Sequence, residues 1–273
     1  MENFIKNIIG EKMKLHTFVI CAYKESPYLE ECIKSLLIQE SVALGMSDIV
    51  LYTATPSDFI DGICDKYNLK KVVGNSKGIG ANWNEALSCS ETKLATIAHQ
   101  DDIYEKSYGI KIIESFQKDK RINIAFSDYY KIDGSGQKRK RNLNLKIKTL
   151  GLKFLSFIPN RSYQRRIYAF GNFICCPAVS YNLENLKNFK FNEEMKMVVD
   201  WDAWERIMKK EGKIKYIPEL LMAHRIHAES ETTVNTNDKN REIEEFEMYR
   251  RYWGKNISKF LMKFYINNQK GNG

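Results

Sequence analysis

Residues 15–37 read LHTFVICAYKESPYLEECIKSLL, a continuous apolar run that gives way to an amphipathic one. Residues 15–22 have the length and composition of a strand buried on both faces. Leu29, Cys32, Ile33, Leu36 and Leu37 then recur at i, i+3, i+4, i+7 and i+8, the spacing of one helix face. Ser26 and Pro27 supply an N-cap and a first-turn proline, so the helix is expected to open there. The alternation continues downstream. Residues 48–53 (DIVLYT) form a second strand, Thr55-Pro56 opens a helix ending near Tyr67, and residues 71–73 form a short third strand. Gly78 to Gly80 leads into a helix through Leu87, and residues 93–98 (KLATIA) form a fourth strand. A helix over 107–117 and a strand over 124–127 complete this half. Strands alternating with helices of about 10–15 residues mean βαβ units and a mostly parallel sheet, hence an α/β fold. Ligands of such sheets sit beyond the carboxyl ends of the strands.

The 273 residues allow one large domain or two small ones. With 43% hydrophobic and 28% charged residues the composition is globular and excludes wholesale disorder. No run approaches 18 apolar residues, so no transmembrane helix is expected. The opening MENFIKNIIGEKMK has only a short apolar patch, broken by Lys6 and Glu11, and does not read as a signal peptide. Lysine and arginine outnumber aspartate and glutamate by 43 to 34, a net charge of +9. Such an excess points to an anionic partner: nucleic acid, a phosphate-bearing substrate or an anionic membrane face. The six cysteines, at 21, 32, 64, 89, 175 and 176, form no CxxC pair and mostly lie in apolar runs. They are expected to be buried free thiols in a reducing, cytoplasmic setting.

Residues 133–141 (DGSGQKRKR) read as a flexible loop or lid. The following segment interleaves Phe154, Phe157 and Tyr163 with Arg161, Arg165 and Arg166, a surface that could also serve nucleic-acid backbone and bases. In the tail, Ile243, Phe246, Tyr249, Arg250 and Trp253 share one helical face. Ile257, Phe260, Leu261, Phe264 and Tyr265 repeat the spacing among Lys255, Lys259 and Lys263. That segment fits either core packing or a helix lying on a membrane surface.

Asp101-Asp102 directly follows a buried strand, where paired carboxylates can hold a divalent ion against a diphosphate. The competing reading is a helix N-cap. Asp200-Trp201-Asp202-Ala203-Trp204 opens another helix; a carboxylate between tryptophans suits general-base work, and again a cap is the alternative. His224 and His227 lie in an extended segment that would point them to opposite faces, which argues against a shared zinc. Arg225 and His227 at a strand end fit a phosphate contact or a plain surface role. Gly78-Ile79-Gly80 lacks both the third glycine of a dinucleotide fingerprint and the GK[ST] of a P-loop.

Taken in order, these segments resemble the family 2 glycosyltransferases, inverting enzymes of the nucleotide-sugar-binding GT-A fold. Residues 18–25 (FVICAYKE) are similar to the family's first strand and its Tyr-Asn-Glu exit, which implies that Tyr23 and Glu25 border the nucleobase. Residues 78–84 (GIGANWN) resemble the helix start beside the nucleotide, which implies donor contacts at Gly80, Asn82 and Asn84. Residues 98–102 (AHQDD) resemble Leu-Asp-x-Asp-Asp, implying Asp101 and Asp102 as ligands of Mn²⁺ or Mg²⁺, with His99 where a further Asp is common. Residues 199–202 (VDWD) resemble Glu-Asp-Trp-Asp, implying Asp200 as catalytic base with Trp201 and Asp202 toward the acceptor. Residues 224–227 (HRIH) resemble Tyr-Arg-Ile-His, implying Arg225 and His227 near the donor diphosphate. Two departures stand out. Thr53-Ala54-Thr55-Pro56 replaces Asp-Asp-Gly-Ser, leaving Thr53 to meet the base of a UDP- or dTDP-sugar. Val199 replaces a glutamate. The Gln-x-x-Arg-Trp of processive synthases is missing, which implies single additions.

The resemblance implies a non-processive bacterial hexosyltransferase of polysaccharide biosynthesis, acting on a glycan or lipid-linked acceptor. It would work in the cytoplasm, peripheral on the inner membrane face, without nucleic acid. Expected boundaries are an N-terminal extension at 1–13, a donor half at 14–130, an acceptor and catalytic half at 131–235, and a helical tail at 236–273. The alternatives are a degenerate nucleotide-sugar binder without turnover and a basic nucleic-acid-binding protein.

Overall fold

The computed structural model describes residues 14–227 and 239–270, so the expected extension at 1–13 lies outside the described residues. Eight strands form one sheet: β1 (His16–Ala22), β2 (Ser47–Thr53), β3 (Lys70–Val73), β4 (Leu94–His99), β5 (Ile103–Tyr104), β6 (Ile122–Ile132), β7 (Val179–Asn182) and β8 (Lys213–Arg225). Their order across the sheet is β3-β2-β1-β4-β7-β6-β8-β5. The four strands β3, β2, β1 and β4 are mutually parallel. β7 runs antiparallel to both β4 and β6, whereas β6 and β8 are parallel. The β6–β8 register jumps from Ser127↔Ile217 to Asp128↔Leu220. The skipped residues include Pro218, which has no N–H to give to a ladder and so belongs at such an irregularity.

The helices are α1 (Leu29–Leu37), α2 (Glu40–Ala43), α3 (Asp58–Tyr67), α4 (Ile79–Ser88), α5 (Tyr108–Lys118), α6 (Leu143–Phe157), α7 (Arg161–Tyr168), α8 (Val199–Lys209), α9 (Lys239–Arg250) and α10 (Lys255–Lys270). β1 shows why the sheet is covered on both sides. Phe18 and Ile20 join a core with Leu29, Ile33 and Leu36 of α1 and Ile112 and Phe116 of α5. Val19, between them, points the other way and packs with Tyr52 and Ala86. A second core gathers Leu152 and Leu155 of α6, Tyr168 of α7, and Trp201, Trp204 and Ile207 of α8.

Several local expectations shift. α1 begins at Leu29, not at Pro27, because the Ser26 hydroxyl is spent on the Tyr28 N–H and no side chain caps the helix itself. α3 is capped by Ser57 rather than opened by Thr55-Pro56. The strand expected over 124–127 extends to an eleven-residue β6, and residues 138–166, read as a mixed basic surface, form mainly α6 and α7. The turn at 133–137 is tied down: Asp133 Oδ1 accepts from the Ser135 N–H, the Ser135 hydroxyl and the Gln137 N–H. In the tail, the buried face of α9 carries Glu245, Met248 and Tyr249, while Ile243 is exposed. In α10, Ser258 and Met262 face inward and Ile257 and Phe260 face out. The six cysteines are free thiols. Among the described residues no helix is long and apolar enough to cross a membrane.

Candidate active site

The turn that leaves β4 carries His99, Asp101 and Asp102, and ligand atoms of these three lie within 4.8 Å of one another. The residues after Asp102 are the short strand β5, not a helix, so the cap reading of this pair falls. β5 pairs with β8 (Ile103↔Ala223, Tyr104↔Met222), and this pairing sets the turn against the end of β8. There Asp102 Oδ1 accepts from the Arg225 N–H at 2.9 Å and faces His224 Nδ1 at 3.1 Å. Burial alone would lower the His224 ring, but the Asp102 charge and hydrogen bond outweigh it and hold the ring above its ordinary value. Asp101 Oδ2 lies 3.0 Å from His227 Nε2, whose ring packs on Tyr28 with centroids 4.8 Å apart.

Two buried atoms here have no partner among the described residues, Asp102 Oδ2 and His99 Nε2. A buried carboxylate oxygen without a donor is costly unless something positive meets it. With Asp101 alongside, the set offers two hard carboxylates and one imidazole, which suits Mn²⁺ or Mg²⁺ carrying phosphate oxygens. The residues present fit a divalent ion.

Arg225 corrects an expectation. Its guanidinium is buried and the protein takes four of its five N–H groups: Nε donates to the Asp101 carbonyl at 2.9 Å, Nη1 to the carbonyls of Asp133 (3.2 Å) and Gly134 (3.3 Å), and Nη2 to Glu31 Oε2. It also lies over the Tyr28 ring at 4.5 Å. Buried and bonded to protein carbonyls, Arg225 fixes the turn after β4 to the 133–137 turn rather than reaching for a diphosphate. The segment expected to act as a lid is thereby anchored.

The β1 exit is open. Tyr23 is 51% exposed, and Gln100 clamps its backbone from both sides, accepting its N–H at 3.0 Å and donating to its carbonyl at 2.9 Å. Lys24 holds a left-handed backbone (φ 54°), and its N–H donates to the Thr55 hydroxyl. Glu25 is exposed beside it. Thr53, expected to meet a base, is fully buried, and its hydroxyl accepts the Thr55 N–H at 3.0 Å. Thr53 therefore shapes the strand end and presents no surface of its own.

The glycine-and-asparagine helix start is also mainly a fastening. A Cβ on Gly80 would sit 2.3 Å from the Asn192 carbonyl oxygen, so only glycine lets α4 approach that backbone. Asn82 accepts from the Tyr52 and Ser76 hydroxyls and donates to the Gly78 carbonyl. Asn84 brackets Phe191, accepting its N–H and donating to its carbonyl. Trp83, between them, turns toward the site and packs on His99 with ring centroids 5.6 Å apart.

Asp200 lies in the first turn of α8 but is not its cap. The N–H groups of Lys196, Met197 and Val198, just before the helix, donate instead to Glu244 of α9. Asp200 Oδ1 accepts from the Trp201 N–H at 2.7 Å and Oδ2 from Asn172 Nδ2 at 2.8 Å. Asn172 in turn accepts from the Tyr168 hydroxyl at 2.5 Å. Burial pushes the Asp200 carboxyl up against the downward pull of these two hydrogen bonds, Lys148 and Arg241. Cys175 and Cys176 feel the charges of both Asp102 and Asp200, so both acidic centres lie near that segment.

Trp201 and Asp202, expected toward the acceptor, are both buried. Trp201 is 1% exposed and packs edge-on against Tyr249. Asp202 pairs with Arg206 at 2.7 Å and Arg251 at 2.7 Å, lining an open groove of about 600 Å³ behind α8 with Glu193 and Lys190. The i, i+4 spacing of Asp202 and Arg206 carried the signal for that pairing. Sequence reasoning passed over Asn172, Lys148 and Glu244, whose neighbours come from distant segments.

The model of Glycosyl transferase family 2 matches residues 17–188, from β1 to just beyond β7, so Asp200, Arg225 and His227 lie after the matched region. An uncharacterized glycosyltransferase of Methanocaldococcus jannaschii, MJ1057, is 25% identical over 227 residues, covering 80% of this chain and 73% of its own. Among solved structures, S. aureus TarS 1-349 in complex with UDP-GlcNAc superposes with a TM-score of 0.60 at 17% identity, over 94% of this chain and 72% of that one. The mannosyltransferase PcManGT of Pyrobaculum calidifontis, in complex with GDP-Man and Mn²⁺, gives 0.64 at 11% identity, over 98% and 79%.

Proposed function

The chain belongs to glycosyl transferase family 2, a glycosyltransferase of GT-A fold, and from there we propose that it moves one sugar from a nucleotide-diphosphate donor to an acceptor hydroxyl with inversion. The observation that carries this reading is an unsatisfied Asp102 oxygen and His99 nitrogen beside Asp101, with a separately held Asp200, raised by burial, whose charge reaches the same Cys175–Cys176 segment. In this reading residues 14–130 serve as the donor half and 131–235 as the acceptor half of the same domain, with 236–273 as the tail, of which Lys239–Arg250 and Lys255–Lys270 are helical.

Asp101 and Asp102, with His99, would hold Mn²⁺ or Mg²⁺, which when bound supplies charge neutralisation at the departing diphosphate. The Mn²⁺ and GDP-Man of the Pyrobaculum mannosyltransferase, and the UDP-GlcNAc of TarS, support a nucleotide-sugar in this region. Tyr23, exposed and immobilised by Gln100, offers its ring to the nucleobase, with Glu25 beside it; a UDP-sugar is favoured and a dTDP-sugar is the alternative. His227 orients Asp101. Asp200 accepts the proton of the attacking hydroxyl while Asn172 and the Trp201 N–H fix the direction of its lone pairs. The acceptor is a glycan or a lipid-linked saccharide of polysaccharide biosynthesis, met in the cytoplasm at the inner membrane face.

Calorimetric titration of UDP, dTDP and GDP, each with and without Mn²⁺, tests the donor site. Metal-dependent binding of one nucleotide, lost in Asp102→Ala, supports it; no binding by any of the three refutes it. Binding without transfer or hydrolysis of any sugar form would instead mark a degenerate binder.

A further inference from the structure

α6 has two apolar stripes where a surface helix needs one. Leu145, Leu152 and Leu155 face inward and are at most 2% exposed. Leu143, Ile147, Leu150, Phe154 and Phe157 follow at i, i+4, i+7, i+11 and i+14, within a sector of about 80° on the opposite side. Their exposures are 72%, 44%, 54%, 55% and 81%, and Ile158 continues the line at 43%. Large apolar side chains in a continuous exposed row mark an interaction surface.

The charge around this row is of one sign. From residue 134 to residue 183 the sequence has no aspartate or glutamate and ten lysines and arginines, more than the +9 of the entire chain. Lys140, Lys146, Lys153 and Arg161 are among those exposed, and Lys146 and Lys153 border one flank of the apolar row. Their long stems can lie along it while the ammonium groups reach outward. A second copy of this chain would bring like charges face to face. Nucleic acid would satisfy the cations but leave the apolar row wet. An apolar stripe rimmed by cations matches an anionic lipid surface.

We propose that the outer face of α6, with the basic segment 138–141, docks on an anionic lipid bilayer. The inner side of the same helix adjoins the site: a Cβ on Gly151 would sit 2.7 Å from the Phe173 ring, next to Asn172, which holds Asp200. Docking through α6 therefore brings the segment that carries Phe173 and Asn172 up to the helix that meets the lipid. That the surface serves to meet a lipid-held acceptor rests on the transfer reading above; the docking itself does not. α10 is the weaker candidate, with only Ile257 and Phe260 exposed among its described apolar side chains.

Vesicle sedimentation decides it, with phosphatidylcholine alone and with about one-third phosphatidylglycerol. The full chain is expected to bind the anionic vesicles at least tenfold more strongly than the neutral ones, and less so in high salt. The triple variant Leu150→Gln, Phe154→Gln, Phe157→Gln should lose at least tenfold of that binding, and Ile257→Gln with Phe260→Gln should not. All three side chains of the triple variant are exposed, and retained Mn²⁺-dependent nucleotide binding would report an intact site. No vesicle binding by the native chain, or equal binding by the triple variant, overturns the proposal. A concentration-dependent dimer that the triple variant abolishes, without vesicle binding, would assign the face to a second copy and overturn it as well.

Discussion

The Arg225 N–H and Asp102 Oδ1 are 2.9 Å apart although the residues are 123 positions apart in the chain. That one hydrogen bond, with the Arg225 Nε bond to the Asp101 carbonyl, fixes one carboxylate and one peptide carbonyl of the acidic turn to the end of β8. The result is directional. Asp102 Oδ1 is consumed by the protein, and Oδ2 is left buried without a partner among the described residues, in a residue whose ligand atom lies within 4.8 Å of those of His99 and Asp101.

Arg225→Ala should therefore act on both stability and the site. It leaves three backbone carbonyls without their donor and removes a buried side chain. A loss of about 3 kcal/mol in urea unfolding is expected, typical of breaking a buried charged network. Mn²⁺-dependent nucleotide binding should weaken with it, and Arg225→Lys should recover only part, because an ammonium cannot span the same fork of acceptors. A variant as stable as the native chain would refute the positioning role.

Asp200→Asn separates catalysis from folding. Loss of the base should reduce kcat by about 10²–10⁴-fold, with nucleotide affinity unchanged. Burial raises the folded-state pKa of Asp200, so its contribution to stability is fully present below the unfolded value of about 3.9 and is lost as pH rises through the folded value. At pH 7 the asparagine variant should consequently be no less stable, and more stable by about 1 kcal/mol. The same shift puts the rise of native activity with pH above the ordinary carboxylate range. Thermal unfolding at pH 4 and pH 7, with a pH–rate profile, checks the signs.

How far the sequence carried this site depends on what each residue's neighbours are. The acidic turn was legible because it follows a five-residue buried run, and strand ends are where α/β sheets bind ligands. The sequence shows Asp200 at a helix start next to Trp201, and that is where the structure has it, while its partner Asn172 comes from a distant segment. Arg225 was misassigned because residue type reveals a charge but not that the carbonyls of residues 101, 133 and 134 converge on it. Asn82 and Asn84 show the same limit of local reading: their partners, Tyr52 and Phe191, arrive from β2 and from beyond β7. The outer stripe of α6 was present in the spacing, but its exposure is a tertiary fact: the stripe that is buried is the one interrupted by Lys148, and composition alone would have chosen the other.

Lys148 is a consequence that no local pattern shows. It occupies the inward face of α6 between Leu145 and Leu152, where burial pushes its ammonium down, and the Asp200 charge acts on it. No ion pair or hydrogen bond holds it among the described residues. Its pKa is depressed by folding, so its contribution is present above the unfolded value of about 10.4 and lost as pH falls, and at pH 7 it opposes folding. Lys148→Met should raise stability at pH 7 by about 1 kcal/mol and lower kcat/KM, because a cation beside the base is removed. Equal stability and activity would show that Lys148 reaches solvent and leaves the base alone.

His16 supplies a pH dependence remote from the chemistry. Its ring is fully buried, with Nε2 2.7 Å from the Thr96 hydroxyl and Nδ1 3.2 Å from the Ser47 hydroxyl, and it packs edge-on against Phe18 at 4.4 Å. Burial pushes it down to about 3. A neutral ring serves two hydroxyls, whereas a protonated one would be a buried cation among them. Because the folded value lies below the unfolded 6.5, the stabilisation is complete above pH 6.5 and declines as pH falls toward 3. The slope is about 1.4 kcal/mol per pH unit once the unfolded chain is protonated. Urea unfolding at pH 7 and pH 5 should therefore differ by about 2 kcal/mol in the native chain through this residue. In His16→Gln, whose amide can still serve both hydroxyls without titrating, that part of the difference should vanish. A variant with the same pH slope as the native chain would mean that His16 protonates in the folded state, with Thr96 or Ser47 turning to accept its second proton.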